Sequence, residues 1–326
     1  MKLTSRLALL AALALAGCAQ PQAHPEHPTA KLAAAEPSGA TAGAASAPSA
    51  ASDPGGKIDR SGSVEQQLAR LQDAYDRNAE AIDFLNKVYA QQKEQQARQQ
   101  REEPATDAMF AVDVTGDIQA GQVDGPATAP VTIIKAFDFA CPYCQRMAPV
   151  MKELVAEYKG KVRVVYTNFL IHPPARSAHL ASCAAAKQGK YLAFKDAFWD
   201  QGFEPYASSG GKDASALGED NILKIAKGVG LDTARLKTDM NSAECKARLD
   251  GDMAELAKWH VNATPTFFIN GKHISGALPK EEFEQLIDEQ LKIAEASGVP
   301  GADYYRKVVL GKGEKQFRSQ GDPRPH

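Results

Sequence analysis

The chain has 326 residues, enough for one or two domains with extensions. Lys+Arg 38 against Asp+Glu 40 leaves a net charge of −2, without the basic excess of a nucleic-acid binder. A mean hydropathy of −0.36 excludes a multi-span membrane protein, and five cysteines are too few for a disulfide scaffold, so their placement matters more than their number.

Lys2 and Arg6 precede the apolar run Leu7 to Ala16. That run is too short to cross a bilayer as a helix and matches the apolar core of an export signal. It ends in Leu15-Ala16-Gly17-Cys18, which resembles the lipobox of bacterial lipoproteins. The resemblance implies removal of residues 1–17 as a signal peptide, acylation of Cys18 and anchorage in a lipid bilayer. An ordinary signal peptide with a chance cysteine is the alternative. Ala19, rather than Asp, follows the cysteine, and the same resemblance then points to the outer membrane of the cell envelope and a periplasm-facing protein. Four cysteines remain for an oxidising compartment.

Residues 18–61 read as a disordered, lipid-anchored tether. From Thr29 to Ala51, 11 of 23 residues are Ala, and Pro37, Pro48 and Pro54 break any long helix. Its r.m.s. reach is about 35–40 Å. Residues 62–104 read as a helical segment. Leu68, Tyr75, Ile82 and Tyr89 fall at heptad position a, and Val64, Leu71, Asn78, Leu85 and Gln92 at d. So narrow a stripe suits a coiled-coil seam over residues 63–101, and hence a homo-oligomer. One amphipathic helix lying on its own globular domain is the alternative.

Residues 105–311 read as one mixed α/β domain. Val131 to Phe137 is a short buried strand, and Met147, Val150, Met151, Leu154, Val155 and Tyr158 then recur at helical spacing. Cys141-Pro142-Tyr143-Cys144 sits at that strand-to-helix junction, with Pro142 in the first helical turn and Pro149 expected to kink the helix. A helix N-terminus lowers a thiol's pKa through its unpaired N–H groups and positive dipole end. Cys141 is therefore the expected nucleophile and Cys144, one turn in, the resolving thiol. A zinc half-site is the alternative, but Cys183 and Cys245 stand alone and the histidines are scattered. No metal or cofactor is expected.

Four stretches now resemble the DsbA-like branch of the thioredoxin superfamily: Val131 to Cys144; Asn168-Phe169 through His172-Pro173-Pro174-Ala175; Cys183 through Gln188-Gly189-Lys190 to Phe198-Trp199; and Val261 to Gly271 with its Thr264-Pro265. They span roughly residues 125 to 295. The resemblance implies a thioredoxin fold with a helical insertion, at about 175–258, preceded here by the long N-terminal helix. It implies that Pro265 is a cis-proline and Thr264 the residue before it, facing the CxxC and leaving backbone groups free for an extended substrate segment; a trans proline at a strand start is the alternative. It implies pairing of Cys183 with Cys245, against two buried free thiols. After Pro265 come a hairpin turning at Asn270-Gly271 and a helix opened by Leu278-Pro279-Lys280, with a further short helix near residues 302–310. Residues 312–326 read as a disordered tail.

One position departs from the relatives. Where they resemble each other in carrying a buried acid, six residues before the first cysteine, this chain has Lys135. A cation there favours thiolates; a lysine that snorkels to the surface without effect is the alternative.

The function implied is a thiol:disulfide oxidoreductase that forms, reduces or shuffles disulfides in exported cysteine-containing proteins, with a membrane redox partner that sets its direction. An oligomeric isomerase or reductase is one alternative to an oxidase, and a non-catalytic thiol chaperone or scaffold is another.

Overall fold

The computed structural model describes residues 60–324; the leader, Cys18 and nearly all of the tether lie outside the described residues. Helix α1 (Val64–Glu102) opens on a capping box, in which Gln66 N–H donates to Ser63 Oγ at 3.4 Å and Ser63 N–H to Gln66 Oε1 at 3.0 Å. None of its residues is buried. Six of the seven apolar seam residues, Val64, Leu68, Leu71, Tyr75, Leu85 and Tyr89, are 50% to 77% exposed, and Ile82 is half-buried.

The domain that follows begins with α2 (Thr115–Gln119) and β1 (Val123–Asp124), neither of which was expected from the sequence, then β2 (Val131–Phe137), α3 (Pro142–Glu157) and β3 (Val162–Asn168). Helix α3 continues past Pro149 to Glu157. A helical insertion contains α4 (Arg176–Ala186), α5 (Tyr191–Phe198), α6 (Glu204–Ser208), α7 (Glu219–Gly228), α8 (Thr233–Met240) and α9 (Ala243–Ala257). Strands β4 (Thr266–Ile269) and β5 (Lys272–Ser275) and helix α10 (Lys280–Ala296) complete a thioredoxin fold. The sheet order is β1-β3-β2-β4-β5, with β2 and β3 parallel and the other pairs antiparallel.

Every residue of β2 is buried, as a central strand covered on both faces requires. Val131, Ile133 and Phe137 point to the α3 and insertion side, while Ile134 and Ala136 pack with Phe110, Phe268, Trp259 and Tyr304 on the other. Strand β3 ends in two polar residues, Thr167 and Asn168. Both polar side chains are satisfied there: Thr167 Oγ donates to Asp117 at 2.9 Å, and Asn168 Nδ2 to Asp252 at 2.7 Å.

The β4–β5 hairpin turns on Asn270 (φ 47°) and Gly271 (φ 87°). A Cβ on Gly271 would stand 2.7 Å from the Phe110 carbonyl oxygen, so only glycine fits. Asn270 also straps β2, accepting from Thr132 N–H at 2.9 Å and donating to the Pro130 carbonyl at 3.1 Å.

The expected disordered tail needs correction over residues 312–324. Glu314 N–H donates to the Met109 carbonyl at 2.7 Å, and Ala111 N–H to the Glu314 carbonyl at 2.9 Å. Phe317 stacks on Phe110 and on His260, with ring centroids 5.7 and 3.9 Å away, and Arg318 bridges Glu314 and Asp107. Gly, Lys and Glu in that stretch look like solvated tail, but one aromatic and one arginine dock it.

Candidate active site

Cys141 is the N-cap of α3, in an extended conformation (φ −88°, ψ 120°), and Pro142 is the first helical residue, where its missing N–H costs nothing. The Cys141 side chain is only 3% exposed, Cys144 is fully buried, and neither is bonded to another cysteine. Tyr143 lies on the outer side of the turn, 52% exposed, with the Arg146 guanidinium 4.4 Å above its ring. The Thr264–Pro265 peptide bond is cis, and the Cys141 thiol donates to the Thr264 carbonyl at 3.3 Å. The motif at one end of the sheet and the proline loop at residues 264–265 therefore meet at a single sulfur.

The two thiols differ strongly. Cys141 is pulled down from 9.0 to about 6: the Cys144 thiol donates to its sulfur, and the Thr264 side chain and the backbone N–H groups of Cys144 and Tyr143 add to this against the cost of burial. The sulfur makes no capping hydrogen bond of the kind a Ser Oγ makes: Cys144 N–H and Gln145 N–H donate to the Cys141 carbonyl at 3.1 and 3.2 Å, and the helix end acts on the sulfur electrostatically. Cys144 is pushed well above 9.0, first by burial and then by donating to Cys141.

Lys135 does not snorkel. It is 1% exposed, and its Nζ donates to the Cys144 carbonyl at 2.9 Å. Burial lowers it from 10.5 to about 8. Its place in the middle of a covered strand leaves its chain no path to water.

The motif also rests on residues that no sequence pattern marks. Asp138, three residues before Cys141, is fully buried. Its carboxylate accepts from Ala140 N–H at 2.8 Å, Ile171 N–H at 2.6 Å and His172 N–H at 2.7 Å. Burial raises Asp138, but His179 and these backbone donors outweigh it and hold the group at about 2. His179 Nε2 accepts from Phe139 N–H at 3.5 Å, and its Nδ1 lies 2.8 Å from Asn168 Oδ1. Asn168 in turn donates to Asp252. The available signal was polarity out of place: an acid beside the motif, a histidine inside the Ala-rich α4 and an asparagine ending an apolar strand.

Cys183 on α4 and Cys245 on α9 form a disulfide, 62 residues apart, with S–S 1.99 Å. Cys18 lies outside the described residues, and the site brings together Cys141, Cys144, Thr264 and Pro265.

A dithiol heading a helix on the central strand of a five-stranded sheet, opposite a cis-proline, is the arrangement of thioredoxin-fold redox proteins. A family model described as Thioredoxin matches residues 117–289, and the chain belongs to that family. The chain is 30% identical over 176 residues to a probable disulfide bond formation protein D of Bacillus cereus, covering 52% of this chain and 77% of that protein. It is 32% identical over 177 residues to a Na(+)/H(+) antiporter NhaA 3 of Salinispora tropica, covering 53% of this chain. The chain spans only 25% of that antiporter's length. Among the described residues no helix is long and apolar enough to cross a membrane. Among solved structures, a thioredoxin-like oxidoreductase from Silicibacter pomeroyi is 30% identical, with 52% of this chain and 91% of that chain covered and a TM-score of 0.43.

Proposed function

We propose that the chain is a lipid-anchored enzyme of the cell envelope that exchanges disulfides with exported cysteine-containing proteins through Cys141 and Cys144. The asymmetry of the pair carries this reading. Cys141, at about 6, is largely thiolate at neutral pH, whereas Cys144 stays protonated. In the reducing or shuffling direction, the Cys141 thiolate attacks a substrate disulfide and displaces one substrate thiolate. Cys144 then attacks the mixed disulfide, releases the second substrate thiolate and closes the Cys141–Cys144 bond. In the oxidising direction the same steps run backwards, from substrate thiolate onto Cys141. Thr264 and Pro265 border Cys141, and an extended substrate segment bound there would present its sulfur in line.

Anchorage through Cys18 rests on the lipobox resemblance, and a membrane partner that resets the dithiol follows from the need to return the site to its starting state. The exposed stripe of α1 supports self-association: seven apolar or aromatic side chains at a/d positions gain burial only against a second helix. Several sites on one particle favour repeated attack on one chain, which leans the reading toward shuffling rather than simple oxidation.

The test compares the full chain with Leu71→Asp plus Ile82→Asp in two assays, oxidation of a reduced protein and rescue of a scrambled one. The expected result is that wild type is oligomeric by sedimentation and active in both, and that the variant is monomeric and loses rescue alone. A wild type inactive in both assays would sink the reading. Labelled palmitate entering wild type and not Cys18→Ser checks the anchor.

A further inference from the structure

Lys135 lies on β2 opposite Tyr166 of β3 and Phe267 of β4, on the face of the strand that carries Ile133 and Phe137 toward α3. Its hydrogen bond to the Cys144 carbonyl holds its ammonium at the first turn of α3, on the buried side of the dithiol. The charged groups around it are few. From α5 come Lys195, itself 1% exposed with Nζ 4.3 Å above the Tyr166 ring, and Asp196; from the head of α3 come Cys144 and Cys141, and Lys152 of the same helix reaches Asp196; Phe267 of β4 brings no charge. The Asp196 carboxylate is shared, 2.6 Å from Lys195 Nζ and 2.7 Å from Lys152 Nζ. Lys195 and Lys152 thus share one carboxylate, with Asp124 of β1 acting on Lys195 besides, and among the described residues no ion pair to a carboxylate is made by Lys135; the anion beside it is the Cys141 thiolate.

A buried ammonium with one hydrogen bond is costly unless a counter-charge is near. Burial and Lys195 push Lys135 toward the neutral amine, while Cys144, Cys141 and Asp196 pull the other way. Of these three, Cys141 is the thiolate and Cys144 stays protonated, so the charge that disappears when the dithiol closes to a disulfide is that of Cys141. By linkage, a group that the dithiol stabilises must stabilise the dithiol in return.

We propose that Lys135 sets the redox poise of the Cys141–Cys144 pair: its buried charge favours the reduced, thiolate-bearing site over the disulfide, and its amine takes up a proton when the disulfide is reduced. With glutathione as reductant the step balances. Two glutathione thiols give up two electrons and two protons and form glutathione disulfide, while the Cys141–Cys144 bond breaks. One proton goes to Cys144 Sγ, the other to the neutral Lys135 Nζ, and Cys141 is left as the thiolate. Lys135 is here a charge-setting residue; the sulfur chemistry stays with the two cysteines. The inference rests on the reading that these cysteines are the exchanging pair.

The experiment measures the dithiol–glutathione equilibrium from pH 6 to 9 in wild type, Lys135→Met and Lys135→Arg, with thiolate absorbance of Cys141 in parallel. Lys135→Met keeps the bulk and removes the charge. It is expected to shift the equilibrium about tenfold toward the disulfide at pH 7, or about 30 mV, and to raise the Cys141 titration. Wild type is expected to show an extra proton taken up on reduction in the range just below pH 8, and Lys135→Met to lack it. Lys135→Arg keeps the charge but does not titrate there, so it is expected to retain the wild-type equilibrium at pH 7 and lose the extra proton. A merely structural role would move both variants alike. Should the larger guanidinium prevent folding, Lys135→Met alone decides. A folded Lys135→Met with the wild-type equilibrium and pH profile overturns the inference. A wild type that does not exchange with glutathione at all overturns the exchanging-pair reading instead.

Discussion

Cys141 and Cys144 stand three residues apart at the head of one helix; Cys183 and Cys245 stand 62 apart and join two helices. Cys245 also lies in the first turn of its helix, so a helix N-terminus alone does not separate the pairs. The cap does. On α9, Ser242 is the N-cap, and its hydroxyl accepts from Cys245 N–H at 3.2 Å, so the helix end is satisfied before any sulfur is involved. On α3 no side chain caps the helix; Cys141 itself is the N-cap, and the uncapped first turn favours the thiolate on its sulfur. The same local feature therefore yields a structural disulfide where a serine precedes the cysteine by three residues and an acidic thiol where the cysteine is the cap.

The largest effects should fall on the α3 pair. At pH 6 Cys141 should alkylate on the order of a hundredfold or more faster than Cys144, because thiolate is the reacting form. Cys141→Ser should lose exchange to background, and Cys144→Ser should accumulate mixed disulfides, visible by mass. Equal alkylation rates would break the contrast. The α9 pair should act on stability instead. Closing a loop of 62 residues stabilises by about 4 kcal/mol on the loop-entropy model. Cys183→Ala plus Cys245→Ala should lower the unfolding free energy by roughly that amount in denaturant titration and still exchange disulfides. Loss of exchange in a folded double variant would show that the two pairs are not separable.

Asp138 sharpens the comparison on the side of the α3 pair. Its folded value, about 2, lies below the ordinary 3.8. A depressed carboxylate contributes stability above its unfolded value and loses it as pH falls through the folded one. Wild type should therefore lose about 2 kcal/mol of its margin over Asp138→Asn between about pH 4 and pH 2, the equivalent of this shift. Parallel unfolding curves for the two proteins across that window would remove Asp138 from the support of the motif.

Much of this was readable beforehand where a local pattern carries a local cause. A seven-residue stretch with five apolar residues, leading into CxxC, places a covered strand, a turn and a helix start, and Asn270-Gly271 places a hairpin. What stayed hidden depends on contacts far along the chain. Asp138, His179, Asn168 and Asp252 form one support, yet no spacing links residues 138 and 252. Lys135 in a strand leaves its direction open until the faces of the sheet are covered. Phe317 and Arg318 looked like tail because their partners, Phe110, His260 and Asp107, lie at least fifty residues away. The heptad stripe is legible and its side chains are exposed, but a single chain holds no second helix for it to meet.

The smallest expected effect links the two pairs. Helix α4 carries His179 four residues before Cys183, and α9 carries Asp252 seven residues after Cys245, so each disulfide cysteine shares a helix with a residue that supports the motif. His179 and Asp252 both bond Asn168, and His179 also accepts from Phe139 in the loop that presents Cys141. The disulfide thus clamps the helices that deliver both partners to β3. Without it, the loop that presents Cys141 should hold the sulfur less firmly against the Tyr143 and Cys144 N–H groups of α3, and the thiolate should lose part of its stabilisation. In Cys183→Ala plus Cys245→Ala, thiolate absorbance against pH should place the Cys141 titration higher by about half a unit, or about 0.7 kcal/mol. An unchanged titration would confine the clamp to stability. A titration at the ordinary thiol value would mean that the cap on α3 depends on the covalent bond as well as on its own sulfur, and the separation between the pairs would fail there.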